Sequence, residues 1–222
     1  MLIALKGTAM IEFAFSSKLA RAALLIGATS LALSACGNSS QGNGVAQSGT
    51  VIASGTAAIG GPFTLTDTDG KTFTEDNLLG QPSLIYFGFS YCPDVCPTAL
   101  QKMGAVQAQV DKQADKLHYL FVSVDPERDT PESLKPYVGA NGFPDGLVGL
   151  TGSQEQVEIA KAAFKVYSQV VETPESASDY TVDHSDIIYF MDKTGKFVEL
   201  FTGRSSVPDI AGRVKYHLNT GK

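Results

Sequence analysis

The apolar and polar positions divide the chain into three unlike stretches. Ala22 to Leu33 is an uncharged, mostly apolar run of twelve residues. Residues 37–58 are rich in Gly, Ser, Gln and Ala, with no charged or aromatic side chain. From residue 59 onward, patterns of period two and period 3.6 alternate. Phe63-Thr64-Leu65-Thr66 and Lys71-Thr72-Phe73-Thr74 alternate around Asp69-Gly70, which predicts a β-hairpin. Leu84 to Phe89 and Leu117 to Val124 are continuous apolar runs, the mark of strands buried on both faces. A helix is expected from Thr98 to about Ala114, and another opening at Thr130-Pro131, an N-cap followed by proline at the first helical position. Leu147 to Leu150 reads as a short strand. Ser153-Gln154-Glu155-Gln156 has capping-box form, with Val157, Ala160, Phe164 and Tyr167 on one helical face behind it. Ile187 to Met191 and Lys196 to Phe201 flank Asp192-Lys193-Thr194-Gly195 as a second hairpin. Pro208 opens a final helix with Ile210, Val214 and Leu218 aligned. Strands alternating with helices, closed by a hairpin and a helix, predict an α/β domain over residues 59–222: a mixed central sheet flanked by helices, with the first hairpin as an N-terminal extension.

The first stretch reads as an address. Lys18 and Arg21 precede the apolar run, which is short of the roughly 20 residues a membrane span needs but fits a signal-peptide core. Leu33-Ser34-Ala35-Cys36 resembles a bacterial lipobox. The resemblance implies a lipoprotein signal peptide over residues 1–35 (26 residues if Met10 is the start), cleavage, and lipidation of Cys36. Residues 36–58 would then be a lipidated cysteine and a flexible tether. That places the domain in a bacterial cell envelope, anchored to the membrane and facing the periplasm or extracytoplasmic side.

Composition sharpens this. The chain of 222 residues is 43% hydrophobic and 18% charged, which excludes a wholly disordered or collagen-like protein. Its formal charge is −6. Lys6, Lys18, Arg21 and Glu12 lie in the leader, so the rest carries −8. That balance argues against nucleic acid as a partner and against lying on an anionic membrane surface.

Of the three cysteines, two sit in Cys92-Pro93-Asp94-Val95-Cys96-Pro97, directly after the most apolar strand. In open α/β sheets that strand end is where ligands bind. Each cysteine precedes a proline, so a stiff turn is expected, with Pro97 as the first helical residue and Cys96 near the N-cap. A thiolate there would be favoured by the helix dipole. The pair supplies two soft ligands to a metal, or a disulfide. Among the three histidines, His118 is expected inside a strand, and His217 near the end of the last helix, where the dipole favours it. His184 lies in the polar segment Tyr180 to Asp186 before an apolar strand, expected to be a loop, and is the candidate third ligand.

Phe87-Gly88-Phe89-Ser90-Tyr91-Cys92-Pro93-Asp94-Val95-Cys96-Pro97, Ser123-Val124-Asp125-Pro126-Glu127-Arg128-Asp129-Thr130-Pro131 and Val182-Asp183-His184-Ser185 together resemble the Sco/SenC family of copper chaperones, in order and spacing. The resemblance covers residues 59–222. It implies a thioredoxin-like fold and copper, as Cu(I) or Cu(II), bound by Cys92, Cys96 and His184. It also implies delivery to the CuA domain of cytochrome c oxidase subunit II. Two thiolates and a neutral imidazole give net charge −1 with Cu(I) and zero with Cu(II), and thiolates favour the former. Asp94 is expected either to tune the loop or to cap the turn. Asp125, Glu127, Arg128 and Asp129 are expected to form either an acceptor-docking patch or a local salt-bridge network.

The rival reading is a thiol–disulfide oxidoreductase, or a redox or copper sensor, using Cys92 and Cys96 as its redox pair. Two features weigh against an oxidoreductase as the sole role. The spacing is C-x-x-x-C rather than C-x-x-C. Asp183-His184-Ser185 also occupies the place where thioredoxins carry a proline. A peroxidase of the peroxiredoxin type is weaker still, because Pro93 rather than threonine lies three before Cys96.

Overall fold

The computed structural model describes residues 58–112, 115–174 and 179–220. The leader, Cys36 and most of the tether fall outside the described residues.

Among the described residues nine strands and four α-helices alternate much as the pattern requires. β1 (Thr64–Asp67) and β2 (Thr72–Thr74) form the expected hairpin, pairing Thr64 with Thr74 and Leu65 with Phe73. Gly70, at φ 77°, closes the turn in a conformation that favours glycine. β3 (Ser83–Gly88) and β4 (His118–Ser123) are the parallel centre of the sheet, and every residue of β3 is buried. β5 (Val148–Thr151) continues the parallel ladder, while β8 (Ile187–Met191) and β9 (Phe197–Thr202) add antiparallel on the other side. The order is β2-β1-β5-β4-β3-β8-β9, a mixed seven-stranded sheet whose first hairpin extends one edge. The fold is thioredoxin-like.

Helices cover both faces. Gly88, Tyr86 and Phe121 face α1 (Val95–Val110), and Gly149 faces Leu134 and Val138 of α2 (Pro131–Val138). Phe190, on the same face, packs its ring against His217 of α4 (Val207–Thr220) at 5.4 Å. On the opposite face Phe87 meets Phe164 of α3 (Gln154–Phe164) at 5.2 Å. The caps form as written: Thr130 accepts from Ser133 N, and Ser153 and Gln156 close the capping box of α3.

Four expectations change. Tyr167 is not on the α3 face; Lys165 turns left-handed at the C-cap (φ 57°) and Tyr167 is exposed. Helix α1 begins at Val95, not Pro97, because the first turn of a helix leaves its N–H groups unbonded and so tolerates a proline. His217 does more than answer a dipole: its Nε2 lies 3.3 Å from the wholly buried carboxylate of Glu199, which Arg213 also bonds. Finally, Tyr180 to His184 is a strand. β6 (Ser168–Glu172) and β7 (Tyr180–His184) form a separate two-stranded sheet, with Ser168 paired to His184.

Candidate metal centre

The chain leaves β3 at Gly88, passes through Phe89 to Cys92 and enters α1. Asp94 holds the N-cap position, but its side chain makes no capping bond to the helix N–H groups. The Cys92 sulfur takes that role, accepting from Cys96 N at 3.4 Å. A sulfur at a helix N-terminus is favoured as thiolate by the unbonded amides and the dipole. The Cys92 thiol is accordingly held down to about 3, chiefly by the Cys96 thiol bonding to it; burial opposes this, and His184 and the amides of Cys96 and Asp94 assist. Cys96 behaves oppositely. Its bond to the Cys92 thiolate and its burial push its thiol up, so the proton stays there. The sequence placed the dipole-favoured thiolate at Cys96; the structure gives it to Cys92, because Cys96 is the second residue of the helix and its sulfur turns inward.

His184, the last residue of β7, brings its Nε2 to 3.3 Å from Cys96 Sγ. Its Nδ1 lies 3.1 Å from the Ser185 carbonyl, which can only accept, so Nδ1 carries a proton, and in the neutral ring it is the Nε2 lone pair that faces the sulfurs. The ring is set edge-on between Tyr86 and Phe89, at 6.1 and 5.7 Å. Tyr86 donates to Asp186 at 3.2 Å, and its phenol is pushed up by burial and by the nearby Cys96 and Asp186. The ligand atoms of Cys92, Cys96 and His184 all lie within 4.8 Å of one another. Both cysteines are free thiols, Cys92 half-buried and Cys96 fully buried. Two soft sulfurs and one imidazole, converging on one spot, make a site that can hold a soft metal ion.

Gly88 carries a role that the sequence pattern alone does not assign. A β-carbon there would stand 2.8 Å from Cys96 Sγ and 3.1 Å from Phe121, so the missing side chain is the cradle of the sulfur. A lone glycine inside an apolar strand run was the available signal. Asp125, Arg128 and Asp129 are drawn into a local network, and Glu127 stands exposed beside it. Asp125 and Asp129 are buried; Asp129 accepts from Ser123 and from Ser90, beneath the cysteine loop, and burial raises its carboxyl.

Fold and site together define a thioredoxin-like domain with a two-thiol, one-imidazole centre at the end of its central strand. The chain belongs to the SCO1/SenC family, whose model matches residues 52–219. The mitochondrial SCO2 protein of Saccharomyces cerevisiae is 44% identical over 146 residues, covering 65% of this chain and 48% of that protein. The structure of Bradyrhizobium japonicum ScoI with copper bound is 42% identical with a TM-score of 0.64, covering 72% of this chain and 99% of that one. BsSco, described as a member of the Sco family of cytochrome c oxidase assembly proteins with a disulfide switch, is 30% identical with a TM-score of 0.55, covering 72% and 92%. The chain spans about half the length of the first curated relatives, 48% of yeast SCO2 and 54% of the human SCO1 homolog. Among the described residues no helix is long and apolar enough to cross a membrane.

Proposed function

We propose that this protein is a copper metallochaperone: Cys92, Cys96 and His184 hold one copper ion as cargo and release it to the CuA site of cytochrome c oxidase subunit II. The observation that carries the reading is the convergence of the three ligand atoms within 4.8 Å. Copper-bound ScoI and the assembly role ascribed to BsSco support it. A site with only three ligands, one on a half-buried loop cysteine, leaves the ion open to incoming thiolates, so transfer proceeds by ligand exchange without the fold opening. Binding weakens in acid, where the imidazole and the sulfurs regain protons. We further propose that Cys36, once lipidated, tethers the domain to the envelope membrane on the extracytoplasmic side.

A second reading is favoured by the thiol asymmetry. A half-exposed thiolate at Cys92 beside a protonated Cys96 suits disulfide reduction. Cys92 would attack an acceptor disulfide and expel one acceptor thiolate. Cys96, losing its proton, would then attack the Cys92 sulfur and release the second, leaving the pair oxidised and the acceptor reduced. The two roles are compatible in sequence.

The test is the metal content of residues 59–222 expressed alone and reduced. The reading expects one copper per chain by elemental analysis. A domain that takes up no copper, or holds it equally well after both cysteines become serine, refutes it.

A further inference from the structure

The centre is assembled from two segments that share no β-ladder. The cysteine loop belongs to the main sheet, whereas His184 belongs to the separate β6–β7 hairpin. At its base Ser185 N donates to Tyr167 O at 3.0 Å, extending the hairpin's own ladder one step beyond the Ser168–His184 pair, where both strands join the body. Among the residues of its two strands only Val182 is buried. Its far end meets Arg128. The guanidinium carbon lies 3.7 Å from the centre of the Tyr180 ring on β7, 4.9 Å from that of Tyr91 beside Cys92, and 5.7 Å from that of Phe89. Phe89 in turn packs edge-on against His184. Arg128 Nη1 donates to the Tyr180 carbonyl at 3.0 Å, and its Nε donates to the Asp125 carboxylate. The Tyr180 hydroxyl donates to that same carboxylate at 2.9 Å, closing a ring of three residues.

We propose that Arg128 is a positioning residue for the metal centre, clamping the β6–β7 hairpin onto the cysteine loop so that the His184 imidazole faces the two sulfurs. The inference rests on the copper reading above and deepens it. The hairpin is a short lever hinged at its base. Releasing its far end lets the ladder rotate, and His184, at the hinge, turns with it. A planar cation with donors in a fixed fork can stack on rings while bonding a carboxylate and a carbonyl; an ammonium cannot do all three.

The test uses the full chain in detergent, with Arg128→Ala, Arg128→Lys, His184→Ala and the double variant Arg128→Ala/His184→Ala. In the metal-free wild type, ring currents from Tyr86 and Phe89 displace the His184 ring-proton resonances; Arg128→Ala returns them toward solvent values. Loaded with Cu(II), Arg128→Ala loses the nitrogen hyperfine coupling of the imidazole, as His184→Ala does. Its Cu(I) affinity falls by about ten- to a hundredfold. Adding His184→Ala to Arg128→Ala then costs no more than about twofold, because the two act through one ligand. Arg128→Lys rescues neither readout. The proposal is overturned if Arg128→Ala keeps the nitrogen coupling and the displaced resonances, or if His184→Ala weakens Arg128→Ala as much as it weakens the wild type. A wild type that binds no copper counts against the copper reading, and the metal-free resonances still judge the clamp. Should Arg128→Ala fail to fold by circular dichroism, Tyr180→Leu removes the closest ring and carries the same expectations.

Discussion

Gly88→Ala is the sharpest small perturbation of the centre. Gly88 ends β3 with an ordinary negative or extended φ, so alanine is not strained in the backbone there. Its β-carbon, however, would meet Cys96 Sγ at 2.8 Å, Tyr86 Cε1 at 3.0 Å and Phe121 Cε2 at 3.1 Å. Comfortable contact begins near 3.5 Å, so the sulfur must retreat by roughly 0.7 Å. It has little room, since Cys96 is fully buried and His184 Nε2 stands 3.3 Å away. Overpacking of this kind costs about 1–3 kcal/mol, offset by about 0.4–1 kcal/mol from the stiffer unfolded chain. A net loss of about 1–2 kcal/mol is expected in urea unfolding of the metal-free protein. Sites need their ligands within about 0.5 Å of the working geometry, so copper affinity should fall more steeply than stability, by about tenfold or more against a colorimetric Cu(I) chelator. Gly212→Ala is the control. Nothing lies within 4 Å of its β-carbon in α4, so it should stabilise by up to about 1 kcal/mol and leave copper untouched. Wild-type copper affinity in Gly88→Ala would refute the cradle argument.

Other outcomes follow from the same geometry. In the reduced, metal-free protein, iodoacetamide should modify Cys92 at a nearly constant rate between about pH 5 and 8, whereas an ordinary thiol slows about tenfold per unit below roughly 8.5; a tenfold slope at Cys92 would count against its thiolate. Because native Cys92 binds fewer protons than the unfolded chain between about 3 and the ordinary thiol value, it contributes stability that rises with pH across that window and is lost as pH falls through it. Arg213→Ala strips the buried Glu199 carboxylate of its arginine and should cost about 3 kcal/mol in urea unfolding; a loss under about 1 kcal/mol would show that the carboxylate is held by other means. Mass spectrometry of membrane-fraction protein should find an acylated N-terminal Cys36, and an unmodified N-terminus beyond it would refute the tether.

Much of the fold was legible because its strands are buried on both faces. The apolar runs Leu84 to Phe89 and Leu117 to Val124 mark β3 and β4 to within a residue at each end, and the Thr130 and Ser153 caps fix where α2 and α3 begin. The β6–β7 hairpin was not legible. Val182 is the one fully buried residue of its two strands, its other anchors are the polar and aromatic contacts of Tyr180 and His184, and Val170 and Val171 point outward, so neither strand shows a half-buried alternation. Chemistry and resemblance therefore point to His184, while the pattern around it suggests a loop. The start of α1 was misplaced because prolines suggest a break, although the first helical turn accepts them. The asymmetry of the two thiols lay beyond the sequence, since it depends on one sulfur capping the helix and the other turning into the core.

The central claim is that one copper ion is held jointly by Cys92, Cys96 and His184. Copper stoichiometry and thiolate-to-copper absorption of purified wild type and His184→Ala, measured side by side after identical loading, test it most directly. One tightly held copper is expected in the wild type, and in His184→Ala a copper bound at least about tenfold more weakly and without the wild-type absorption, with the Cys92–Cys96 disulfide still forming in both. Copper held by His184→Ala with wild-type stoichiometry and spectrum would contradict it.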